Sequence, residues 1–122
     1  MNAPAVAVSD DAKKYAVAWM GQPDGKDRDV FWSLTGAADL RLGDDAKGTQ
    51  GYVSAGIDAS KIFYVVWEDE RSGKSSVFMT SSAPGAKNER LAEDASWPVL
   101  SAGKSVGVVW ERNGGVEFRK IR

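Results

Sequence analysis

A repeated hairpin pattern places the strongest constraint on how this chain can fold. In the central copy, a β-rich run ends in Trp67, a polar turn containing Gly73 follows, and a second β-rich run begins at Ser76. This order is typical of a hairpin whose loop is longer than two residues. Trp19 and Trp110 end matching runs, 48 residues before and 43 residues after Trp67. A period of this length predicts repeated structural units.

Residues 1–122 are predicted to form one domain. Alternating apolar residues and turn residues divide it into units of about 3–49, 50–96 and 97–122. Residues 86–95 are largely helix formers, but the matching segment of the first unit contains Gly43, so a strand is predicted in both. Four strands per unit are typical of a β-propeller blade. The sequence therefore predicts an all-β fold of three four-stranded blades, the third incomplete. The predicted strands are 3–8, 15–20, 30–35, 39–42, 52–55, 61–67, 76–81, 88–91, 98–103, 106–110 and 116–121.

Three blades alone would leave two blade faces and several sheet edges bare. Proteins normally cover or protect such edges. Two copies related by a two-fold axis would complete a six-bladed propeller, so a homodimer is the predicted partner state. The last predicted strand, 116–121, either adds to a partner's sheet or protects the edge with its basic residues. Trp19, Trp67 and Trp110 are predicted to pack between neighbouring blades.

Composition excludes several function classes. The 122 residues include 16 basic and 17 acidic side chains, and the net charge of −1 gives no electrostatic reason to expect nucleic acid or an anionic membrane as partner. Neither cysteine nor histidine occurs, so disulfides, thiolate metal sites and Ser-His-Asp or Cys-His catalysis are excluded. No apolar run approaches the roughly 20 residues that span a bilayer. Residues 1–4 lack the features of a signal peptide, and no cofactor is predicted.

The central hairpin carries a recognisable motif, in which Trp67, Asp69, Arg71 and Gly73 alternate with other residues before an aromatic strand at Phe78. It resembles the repeat of the Asp-box and sialidase-like propellers, where a Trp-x-Asp-x-Arg-x-Gly turn precedes such a strand. The resemblance implies the propeller fold and favours a secreted or periplasmic location. Fold likeness does not carry a function.

The other two units depart from this motif. In the first unit the Asp-Arg pair is displaced to Asp27-Arg28, and in the third the turn is shortened to residues 110–114. The full Asp-box, Ser-x-Asp-x-Gly-x-x-Trp, is absent. Sialidase-like enzymes have an arginine triad, a Tyr-Glu pair and an acid spread over six blades, and three blades cannot hold that set.

Trp97 is the aromatic residue that breaks the repeat. Alignment of 54–56 with 101–103 places it where Gln50 and Ala3 stand in the other units. Because it precedes Pro98, its backbone is predicted to be extended or polyproline-like, on the loop that enters an innermost strand. Two interpretations remain open: a binding platform at the propeller rim, or a filler between blades or subunits.

Four charged residues of the hairpin loops are predicted on the same face as Trp97. Arginine and carboxylate groups in such loops either hold the loop by ion pairs and hydrogen bonds, or bind a polar ligand. The predicted ligand-binding set is Trp97, Glu68, Arg71, Glu111 and Arg112. Three alternating acids, Asp24, Asp27 and Asp29, also suggest calcium, but the residue order of a calcium loop is missing and a solvated loop is favoured.

These observations predict a non-catalytic, lectin-like binding or scaffold module whose ligand is a carbohydrate or a protein surface. Aromatic and guanidinium groups at a rim suit stacked sugars and hydrogen-bonded hydroxyls. One alternative is a subunit or fragment of a sialidase-like glycoside hydrolase, which needs two carboxylates about 5 Å or about 6.5–9.5 Å apart. Another is a purely structural subunit that assembles with itself.

Overall fold

The computed structural model describes residues 3–22, 28–36, 40–41 and 48–122, with the backbone alone for residues 40–41. Eleven strands and no helix occur among these residues, so none of them belongs to a helix able to cross a bilayer. The strands are β1 (Ala5–Val8), β2 (Tyr15–Gly21), β3 (Asp29–Leu34), β4 (Leu40–Arg41), β5 (Gln50–Ile57), β6 (Phe63–Asp69), β7 (Ser76–Ser81), β8 (Glu89–Glu93), β9 (Ser96–Ala102), β10 (Val106–Arg112) and β11 (Gly115–Lys120).

The strands form three antiparallel sheets, each built from consecutive strands. The first sheet has the order β1-β2-β3-β4, the second β5-β6-β7-β8 and the third β11-β10-β9. The all-β prediction is confirmed, and each predicted strand overlaps an observed one. The segment rich in helix formers is a strand at 89–93, because it pairs with β7 and buries Ala92.

The second sheet lies between the other two and is covered on both faces. Along β6, Phe63, Val65 and Trp67 belong to the apolar core shared with the first sheet. Tyr64 and Val66 belong to the core shared with the third sheet. All seven residues of β6 are buried. A strand buried on both faces reads as a continuous apolar run, which explains the five residues from Phe63 to Trp67.

The three sheets meet along their first strands. β5 lies between β1 and β9. Leu100 of β9 donates its backbone N–H to Ser54 Oγ at 3.0 Å, and Ala59 donates to the carbonyl of Gly103 at 2.8 Å. A Cβ added at Gly56 would stand 2.9 Å from the Cβ of Ala102, so glycine permits this close approach.

The three repeated tryptophans have different surroundings. Trp67 and Trp110 are buried between sheets, as predicted. For Trp19, the prediction of packing between sheets is wrong within one copy. Its side of β2 faces outward from the first sheet. It stacks there on Phe31 with ring centroids 5.9 Å apart, much as Trp67 stacks on Phe78 at 6.0 Å.

Candidate functional site

The Trp-x-Asp-x-Arg motif is a hydrogen-bonded unit that closes the β6–β7 hairpin. The Asp69 side chain is fully buried, and its Oδ2 accepts the Trp67 Nε1–H at 3.1 Å. Arg71 donates from Nε and Nη2 to the two Asp69 oxygens, at 2.9 and 2.8 Å. Its guanidinium also lies 4.3 Å from the centroid of the Phe78 ring. Arg71 therefore holds the hairpin, the first of the two predicted roles.

The third sheet builds the same combination from different positions. Trp110 donates its Nε1–H to Glu117 Oε1 at 2.9 Å, and Arg112 Nη2 donates to Glu117 Oε2 at 3.0 Å. Arg112 Nη1 also donates to the carbonyl of Glu93 at 3.2 Å. The hydrogen bonds that Arg112 and Trp110 donate lower the pKa of Glu117, and the bond that Arg112 donates to this carboxylate raises the pKa of Arg112.

Glu117 is a site residue that the sequence analysis missed, and only its place opposite Trp110 across the hairpin could have indicated it. Glu111, which was predicted, is exposed and lies opposite Ser96 and Val116. The contacts described for Arg112 and Glu111 do not join either residue to Trp97.

Of the predicted set, the structure brings Trp97 and Glu68 together. Glu68 is buried, although it carries a carboxylate. Its Oε1 accepts a hydrogen bond from Ser75 Oγ at 2.7 Å, and its Oε2 accepts one from the backbone N–H of Trp97 at 3.3 Å. The carboxylate thus links the β6–β7 hairpin to the first residues of β9.

Trp97 lies within β9, at a bulge, and its φ of +56° is left-handed. The expectation of an extended backbone on a preceding loop is wrong, because the extra residue of a bulge alters the local backbone. The second sheet has the corresponding bulge between Gly51 and Ser54, and Tyr52 stands within it with a φ of +52°.

The register makes Trp97 the counterpart of Tyr52, and the alignment with Gln50 is therefore wrong. Gly51 lies opposite Glu68, as Ser96 lies opposite Glu111, one residue after the repeated tryptophan in each case. The aromatic residue is repeated in two units. The two rings touch in an edge-to-face arrangement, with centroids 4.5 Å apart and planes at 61°.

A small cavity adjoins Tyr52 of this aromatic pair, where the first and second sheets meet. Its volume is about 150 Å³. Tyr52 and Glu68 form part of its wall, so it begins at the same carboxylate that binds the Trp97 backbone. The polar and apolar groups around it belong to Met20, Arg28, Thr49, Tyr52, Glu68 and Glu70.

A larger groove of about 520 Å³ runs along β1, β5 and β9. Its buried acid, Asp58, is engaged in a turn. Asp58 Oδ1 accepts the backbone N–H groups of Ser60 and Ile62 at 2.8 and 3.0 Å, and its Oδ2 accepts the Tyr64 hydroxyl at 3.1 Å. The nearby Asp11 has a strongly lowered pKa, mainly because Ser9 donates a hydrogen bond to it and secondly because Lys61 does.

The described residues hold no cluster of three or more acids placed to bind a metal ion. Of the three acids considered for calcium, Asp29 is buried at the start of β3. Asp24 and Asp27 lie outside the described residues. The calcium hypothesis is therefore limited to its sequence pattern.

Comparisons of this chain with protein-family models, with curated proteins and with solved structures find no match. The likeness to Asp-box and sialidase-like propellers remains a prediction from the repeat. The contacts above explain its motif physically, since Trp67 and Arg71 both donate hydrogen bonds to Asp69.

Proposed function

We propose that this chain is a non-catalytic scaffold and binding module. Its three sheets act as propeller blades, and two copies close a six-bladed ring that presents a face to a carbohydrate or protein ligand. Adjacent first strands and face-to-face packing of the sheets support the blade arrangement. In this proposal the ring closes where the outward face of the third sheet of one copy contacts the outward face of the first sheet of the other.

The observation that carries this proposal is that one of three valines at equivalent positions is exposed. Val30, Val77 and Val116 each lie opposite the residue that follows the repeated tryptophan. Val30 and Val77 have no exposed surface, because the next sheet covers them, whereas Val116 is 78% exposed. The third sheet thus presents outward an apolar position that is a core position in the other two.

The outer strand of the third sheet repeats this difference. By register, Phe118 is the counterpart of Trp32 and Met79. Trp32 and Met79 are buried against the next sheet, but Phe118 is 66% exposed. Exposed apolar patches of this kind mark interaction sites on soluble proteins.

The outward face of the first sheet is the complementary half. Trp19 corresponds to Trp67, and the half-exposed Tyr15 corresponds to the buried Phe63. This face is therefore the equivalent of the one that the second sheet presents to the first. The third sheet of one copy and the first sheet of another can repeat the contact found twice within the chain. Two such contacts, related by a two-fold axis, close the ring.

The hydrolase alternative is disfavoured by how three of the four buried carboxylates among the described residues are used. Asp58, Glu68 and Asp69 each accept hydrogen bonds from turns or strand ends of their own chain. These bonds account for the burial of the three acids structurally. Turnover of a panel of chromogenic glycosides by the purified chain would favour the hydrolase instead.

Native mass at micromolar concentration tests ring closure. We expect a dimer for the unmodified chain and a monomer for Phe118→Asp, because a carboxylate cannot be buried without a partner. Ala86→Asp makes the same charge change at an exposed residue of the β7–β8 loop, and this control should remain a dimer. Circular dichroism should show the same strand content in all three proteins.

A monomeric unmodified chain would contradict the proposal, as would a dimer that survives Phe118→Asp. A trimer that Phe118→Asp dissociates would retain the sheet-to-sheet contact and overturn the six-bladed count.

A further inference from the structure

The two bulge aromatics occupy a backbone conformation that disfavours them. Tyr52 and Trp97 have φ values of +52° and +56°. Only glycine adopts this region without a steric penalty from Cβ, and such strain tends to accumulate at functional sites. The chain places its largest side chains at two equivalent positions where glycine would relieve strain.

Packing accounts for only part of this choice. Trp97 is 54% exposed, so about half of its accessible surface remains in contact with water. The bulges turn both rings to one surface, where they touch with centroids 4.5 Å apart. Bulges often re-aim a side chain in this way beside binding sites. The result is an exposed aromatic surface with a fixed angle between its two rings.

Hydrogen-bonding groups adjoin this aromatic surface. Glu68 is 8% exposed, binds the Trp97 backbone and also lines the small cavity beside Tyr52. Arg28 and Glu70 line the same cavity. Its volume of about 150 Å³ is below the roughly 300–1,000 Å³ of pockets that enclose drug-sized ligands, so it suits a single ring.

We propose that Trp97, Tyr52 and Glu68 form a binding site for one neutral sugar ring, with Arg28 and Glu70 at its polar end. The C–H face of the ring packs on the aromatic surface, and its hydroxyls enter the cavity. Hydroxyl groups both donate and accept, which matches carboxylate acceptors next to a guanidinium donor. An anionic ligand would face the carboxylates of Glu68 and Glu70 and the guanidinium of Arg28, so a neutral ligand is favoured.

This inference deepens the binding role proposed above and rests on it. It is separate from ring closure, because all five residues belong to one copy.

The test is a titration with methyl glycosides of glucose, galactose, mannose and N-acetylglucosamine, followed by NMR. Choline is the cationic probe, since an aromatic pair beside a carboxylate also suits a quaternary ammonium. Trp97→Gly is the informative variant, because it removes the ring and relieves the left-handed backbone. We expect at least one glycoside to bind saturably. Trp97→Gly should weaken binding about tenfold or more, with Tm unchanged or raised.

Glu68→Gln should also weaken glycoside binding, because a neutral amide accepts weaker hydrogen bonds than a carboxylate. Glu89→Gln is the matched control on the exposed side of β8 and should bind as the unmodified chain does. Tyr52→Gly should behave like Trp97→Gly.

Three results would overturn the site: binding of choline without any glycoside, equal glycoside affinity in Trp97→Gly, or a fall in native mass caused by Trp97→Gly. The last would show that Trp97 packs between copies. Absence of glycoside binding in a chain that still dimerises would refute the sugar site and leave ring closure standing. A monomer that binds a glycoside would refute ring closure and leave the sugar site standing.

Discussion

The β6–β7 and β10–β11 hairpins build the same tryptophan–carboxylate–arginine contact in two ways. In β6–β7, Asp69 comes two residues after Trp67 and is fully buried. In β10–β11, Glu117 reaches Trp110 from the opposite strand, and its side chain is 42% exposed. The chemistry of the contact is therefore retained, although the position of its carboxylate is not.

Loop length explains the change. Arg112 pairs directly with Gly115, and Asn113 and Gly114 between them have φ values of +54° and +75°. Positive φ at both central residues is the signature of a tight type I′ turn, for which Asn-Gly is the preferred pair. Such a turn has no room for the loop that carries Arg71 in the second sheet. The arginine therefore lies in β10, and the carboxylate comes from β11.

The largest expected effect is a difference in the free energy of unfolding between variants of Asp69 and Glu117. Asp69→Ala should lower the free energy of unfolding by about 3 kcal/mol, because it removes the acceptor of a buried indole N–H and of two hydrogen bonds from a partly buried guanidinium. Glu117→Ala should cost clearly less, because water can replace the lost hydrogen bonds. Urea denaturation of both variants at neutral pH measures the difference. Equal losses would mean that burial does not distinguish the hairpins.

A smaller effect is expected at the equivalent valines. Val77→Ala should lower the free energy of unfolding by about 2 kcal/mol, since it removes two buried methyl groups and leaves a cavity. Val116→Ala should change it by less than about 0.5 kcal/mol in a monomer. Both belong in the Phe118→Asp background, where association is absent. A large loss for Val116→Ala there would show that the residue packs within its own copy.

The smallest effect is a pH dependence at the β10–β11 hairpin. Arg112 and Trp110 hold the pKa of Glu117 below its ordinary value of 4.5. The ionised carboxylate therefore stabilises the fold above that pH, and this contribution is lost as the pH falls through the lower, folded pKa. Glu117→Gln should be less stable than the unmodified chain at neutral pH, with the gap closing as the pH falls below 4.5 and through the folded pKa. A gap that persists in acid would assign the effect to packing.

Strand positions could be predicted from the sequence because they depend on local patterns. The tryptophan at the end of each second strand and the turn residues after it mark the hairpins. The role of Asp69 and Arg71 in closing a loop was also one of the predicted interpretations. Asp69 ends β6 and Arg71 follows two residues later, so spacing along the chain determines which groups meet.

Tyr52 could not be found in the same way, because similar letters in two units need not occupy equivalent strand positions. Aligning 54–56 with 101–103 treats Ser54 as the counterpart of Ser101, whereas the register makes it the counterpart of Val99. Both strands have the same bulge, so the error of two residues arises elsewhere. Residues 54–56 lie within β5, whereas 101–103 run past the end of β9 at Ala102. Glu117 was missed for a related reason, since cross-strand partners depend on register and not on sequence distance.

The burial of β6 on both faces determines how stability is shared along the chain. Stability in stacked repeats is approximately a sum of terms for each unit and each contact between neighbours. Within one copy the second sheet has two such contacts, whereas each outer sheet has one. Opening of either outer sheet exposes one face of β6, while β6 itself opens only with the whole chain. A lone copy should therefore fray from its outer sheets inward, and a closed ring would leave no outer sheet from which fraying could start.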